Sequence, residues 1–68
     1  MLKRVWESKR KYQPTRLEEW QYKDGSLHYS LVTLFRSYDV PQDEKDYIIK
    51  SHNMTEKTDE YKRSGWIG

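Results

Sequence analysis

The stretch Trp20-Gln21-Tyr22-Lys23-Asp24-Gly25-Ser26-Leu27-His28-Tyr29 decides the fold. Asp followed by Gly between alternating bulky residues is a strong short-range sign of a β-hairpin. Taking Asp24 and Gly25 as a two-residue turn sets Lys23 opposite Ser26 and Tyr22 opposite Leu27, with Trp20 opposite Tyr29 and Glu18 opposite Leu31. Side chains alternate along strands, so this register gathers Trp20, Tyr22, Leu27, Tyr29, Leu31 and Phe35 on one face. A three-residue loop pairs Tyr22 with Ser26 and sends the two apolar sets to opposite faces. The pattern selects the shorter turn. It predicts strands over residues 16–23 and 26–37, an aromatic face that forms core, and His28 on the other side. A β-branched residue at position 25 would resist the positive φ such a turn needs.

Outward from the hairpin, Leu31-Val32-Thr33-Leu34-Phe35 is apolar on both faces and demands cover from both sides. Residues 2–12, with Leu2, Val5, Trp6 and Tyr12, suggest a further strand, joined to the hairpin through Gln13-Pro14-Thr15. Pro41 ends the hairpin's second strand, and Gln42-Asp43-Glu44 suits the acidic first turn of a helix. Asp46-Tyr47-Ile48-Ile49 reads as strand or helix, but the helical face Ile48, Ser51, Thr55, Thr58 is barely apolar. A short helix over residues 55–64 has Thr55 as N-cap and Gly65 as its stop. The chain lacks alanine and is rich in aromatic and β-branched residues, which favour strands. The expected class is mainly β: a small antiparallel sheet of three to five strands around a central hairpin, with room for one short C-terminal helix. The alternative is α+β, with a longer helix over residues 42–53.

The chain has 68 residues, 35% charged and 34% hydrophobic, with no cysteine. That bounds it to a single small domain over residues 1–68 and removes thiol chemistry, disulfides and thiolate metal sites. Ten aromatic rings, against eleven Leu, Ile and Val, supply most of the core. So short a chain has little core volume and no staple, so self-association, as a dimer, is expected. No apolar run approaches bilayer thickness and no secretory signal opens the chain, which makes the cytoplasm the expected compartment.

Charge is uneven along the chain. Residues 1–16 carry Lys3, Arg4, Lys9, Arg10, Lys11 and Arg16 against Glu7, whereas the rest is mildly acidic and the formal total is +2. The segment therefore reads as a basic N-terminal strand or arm. Catalysis has little support: His28 and His52 are isolated, and no metalloprotease, phosphate-loop or nucleophile-elbow motif is present. No cofactor site is legible either. The expected role is a small non-enzymatic binding module that regulates or inhibits a larger protein partner. Its candidate contacts are Arg4, Trp6, Lys9, Arg10, Lys11 and Tyr12 in the arm, with Trp66 near the C-terminus, since Trp, Tyr and Arg dominate interface hot spots. The alternative partner is a single-stranded nucleic acid, with the arm's cations on phosphates and its rings on bases.

Overall fold

The reversal at Asp24-Gly25 is present, but it is one residue longer than the sequence pattern predicts. In the computed structural model, which describes residues 1–8 and 15–67, Gln21 pairs with Leu27, Glu19 with Tyr29 and Leu17 with Leu31. The Tyr22 N–H donates to Ser26 O at 3.0 Å and the Gly25 N–H to Tyr22 O at 2.9 Å, enclosing the three-residue loop Lys23-Asp24-Gly25. Within this loop only Gly25 takes a positive φ, 88°. The expected two-residue turn would have put Asp24 in that region as well. Asp24 has a different task. Its Oδ1 accepts from the Ser26 N–H at 2.9 Å and the Ser26 hydroxyl at 2.6 Å, which holds its carboxyl below the usual range.

That single-residue slip redistributes every side chain of the hairpin. The strands β1 (Leu2–Glu7), β2 (Arg16–Gln21), β3 (Leu27–Val32), β4 (Ser37–Val40) and β5 (Thr55–Glu56) form one antiparallel sheet in the order β4-β3-β2-β1-β5. Its first face carries Trp6, Leu17, Leu27, Tyr29, Leu31 and Val40, and α1 (Lys45–Ser51) covers them with Ile48 and Ile49, aided by Met54. The second face carries Leu2, Val5 and Trp20, covered by Tyr61 of α2 (Thr58–Arg63) and by Ile67. Trp20 and Tyr29, expected side by side, lie on opposite faces. His28, expected opposite Trp20, is its cross-strand neighbour.

The mainly β expectation holds. A 3₁₀ turn (Gln42–Glu44) leads into α1, so the acidic segment after Pro41 does start a helix, though one shorter than the alternative reading required. The C-terminal helix begins at Thr58, because Thr55 and Glu56 are drawn into the ladder beside Glu7 and Trp6. Gly65 stops it at φ 87° as expected. The stretch Leu31 to Phe35 is not buried throughout. It folds into a second hairpin, where the Thr33 N–H donates to Arg36 O at 2.7 Å and Phe35 at the tip is 88% exposed. Residues 2–7 are no free arm: β1 lies between β2 and β5.

Candidate functional site

The two faces of the sheet are unequally covered, and the difference positions the site. On the second face, α2 and Ile67 lie over the β1 side, while the outer part of β2, β3 and β4 stays open. There the side chains bound a trough of about 610 Å³. Trp20, Tyr22, Met1 and Val32 form its apolar walls, and Glu18, Ser30 and Ser37 contribute polar groups. Ladder pairs put Trp20 beside His28 and Glu18 beside Ser30 on this face. The Tyr22 ring stacks on His28 with centroids 4.1 Å apart, which holds an exposed phenol in a fixed orientation.

Glu18 is the trough's charged group. Its Oε2 accepts from Arg16 Nε at 2.8 Å and its Oε1 from Trp20 Nε1 at 3.2 Å. These two donors fix the carboxylate in place, and the carboxylate in turn orients the indole beside it. The N-terminal ammonium is anchored too, donating to Gln21 O at 2.8 Å, so Met1 stands at the rim as a wall residue.

The residues picked out by sequence fall into four groups. Trp6 is 5% exposed, packed against Leu17 and Tyr29 and capped by the Arg4 guanidinium 4.6 Å from its ring centre. It is core, and little of the ring expected to meet a partner is open to one. Arg4 is engaged internally: its Nη2 donates to Glu56 Oε1 at 3.0 Å and its Nη1 lies 3.8 Å from Glu19 Oε2. The Glu56 hydrogen bond is the main reason the Arg4 pKa rises and that of Glu56 falls. Lys9, Arg10, Lys11 and Tyr12 lie outside the described residues. Trp66 is 66% exposed, resting edge-on against Tyr61 at 6.4 Å. The residue that folds back into the core is its neighbour Ile67.

Glu19 was also unforeseen. It is buried on the first face, where it accepts from the Tyr29 hydroxyl at 2.7 Å. Burial, then this bond and the carboxylate's charge, push the Tyr29 hydroxyl up to about 12, against a smaller opposing pull from Arg4. The sequence reading missed the trough because it treated the rings of Trp20 and Tyr22 as core. A signal was available: Leu17 and Leu31 face each other only in the three-residue register. No family model, curated protein or solved structure matches this chain. Among the described residues, no helix is long and apolar enough to cross a membrane.

Proposed function

We propose that this chain is a small non-enzymatic binding module that engages a larger protein partner through the open trough of its second sheet face, and regulates or inhibits it. One observation carries this reading: a folded domain with little core to spare leaves Trp20, Tyr22, Val32 and Met1 around an uncovered depression. Rigid aromatic walls with a few fixed polar groups are the anatomy of a protein-binding hot spot. The Glu18 carboxylate inside is already paired with Arg16, so the trough suits a partner segment that is chiefly apolar, with hydrogen-bonding groups to meet Ser30 and Ser37. Of the aromatic residues proposed for base stacking in the arm, Trp6 is buried, which weakens the nucleic-acid alternative. Trp66 is one further exposed ring on the same chain.

The test compares variants of the tagged chain against a nuclease-treated lysate of its host. Val32→Glu and Tyr22→Ser should abolish stoichiometric capture of a larger protein, while Tyr47→Ser, on α1, should leave it intact. The purified partner's activity should change when the wild-type chain is added and stay unchanged with Val32→Glu. Capture indifferent to both trough variants would overturn the reading. So would binding confined to nucleic acid and weakened by Lys9→Ala, Arg10→Ala or Lys11→Ala.

A further inference from the structure

β4 is an outer strand of the sheet, and Ser37, Tyr38 and Asp39 are exposed along it. The ladder determines which of its backbone groups remain unpaired. The Thr33 N–H bonds to Arg36 O, which makes 33 and 36 a hydrogen-bonded pair. Antiparallel ladders alternate, so Leu31–Tyr38 and Tyr29–Val40 are hydrogen-bonded pairs, whereas Val32–Ser37 and Ser30–Asp39 are not. The N–H and C=O of Ser37 and Asp39 therefore point away from β3, towards the open edge. An edge of this kind is a template for another strand.

Charge indicates which strand. Arg36 precedes β4, and Asp43 and Glu44 follow it in the 3₁₀ turn, all three exposed and outside the ion pairs of the described residues. The edge is thus positive at one end and negative at the other. Antiparallel pairing with the same strand of a second copy sets each Arg36 beside the other copy's acidic turn, and does so twice. Parallel pairing sets like charges together.

We propose that two copies of this chain join their β4 edges antiparallel about a two-fold axis at Tyr38. Only an axis there uses both outward-facing residues of each copy. Ser37 and Asp39 of the second copy exchange both backbone hydrogen bonds, Asp39 and Ser37 of the second copy do the same, and the Ser37 hydroxyl faces a carboxylate. An axis at Asp39 would oppose two carboxylates. Tyr38 meets its own counterpart in a non-hydrogen-bonded pair, with Cα atoms about 4.5 Å apart. The exposed Leu34-Phe35 tip runs alongside Pro41 of the second copy. Because the axis is perpendicular to the sheet, both troughs, each lined in part by Ser37, open on the same side. The dimer stands independently of what the trough binds.

Sedimentation equilibrium of the full chain, against concentration, tests the pairing. Wild type should approach twice its 8.4 kDa mass. Arg36→Glu alone, and Asp43→Lys/Glu44→Lys alone, should each weaken the dimer at least tenfold while circular dichroism stays native. Mixing the two variants should restore it, because opposite charges then meet at both ends. Tyr38→Cys, in a chain with no other cysteine, should oxidise readily to a covalent dimer; Asp39→Cys should not, since its counterpart lies about 7–8 Å away. A monomeric wild type, a dimer untouched by the charge variants, or no recovery on mixing would overturn the proposal.

Discussion

Gly25 and Tyr29 show how single residues govern this molecule. Gly25 closes the first hairpin at φ 88° with open space where a Cβ would sit, so a substitution there meets backbone strain and no steric clash. Gly25→Val should lower the unfolding free energy by about 1–2 kcal/mol in urea titration, the cost of a left-handed conformation for a branched residue. An unchanged midpoint would contradict the turn. The Tyr29 hydroxyl titrates at about 12 in the folded chain, against an ordinary 10.0. Its neutral form is favoured by folding, so its contribution is complete below pH 10.0 and is lost as pH rises towards 12. Tyr29→Phe should flatten the decline of thermal stability over that alkaline window. An equally steep decline in the variant would assign the alkaline response elsewhere.

The short helices owe their ends to one device used twice. After α2, the Gly65 N–H reaches Lys62 O and the Trp66 N–H reaches Tyr61 O, with the Trp66 ring against Tyr61. After α1, the Asn53 N–H reaches Lys50 O and the Met54 N–H reaches Ile49 O, with Asn53 at φ 52° in glycine's usual place. Both are six-residue C-terminal caps that satisfy otherwise unpaired carbonyls. Each also directs the following chain back onto the sheet, delivering Ile67 to one face and Met54 to the other. Ile67→Ala should therefore cost about 2–3 kcal/mol, a core truncation. Trp66→Ala should cost under about 1 kcal/mol, since the ring only borders Tyr61. Equal losses in calorimetry would mean that the indole carries structural load.

At the scale of the whole molecule, two thin cores share one sheet, with Leu17 fully buried in one and Val5 in the other. A domain with so few fully buried side chains gains stability from anything that binds its folded form. If β4 edges pair, the melting temperature of wild type should rise with chain concentration between about 5 and 500 μM, and that of Arg36→Glu should not. A melting temperature independent of concentration in both would remove dimerisation as a source of stability. The same geometry explains how a chain of this size leaves part of its sheet uncovered: one sheet face is filled by α1, and the other is filled only as far as α2 and Ile67 reach.

The amino-acid pattern alone determined that the chain reverses at Asp24-Gly25, that a strand lies within residues 2–12, that Pro41 ends one and that Gly65 stops a helix. Each of these follows from local backbone preference, which acts within a few residues. The loop length was not local in this sense. It depended on pairing Leu17 with Leu31 and on giving the buried Glu19 carboxylate a donor in Tyr29 and a cation in Arg4, residues from three strands. A period of two makes a single-residue slip reverse the faces, so the division between core and reachable surface waited on those distant partners. Trp6 became core, Tyr22 became surface, and the trough between Trp20 and Val32 existed only once the sheet had assembled.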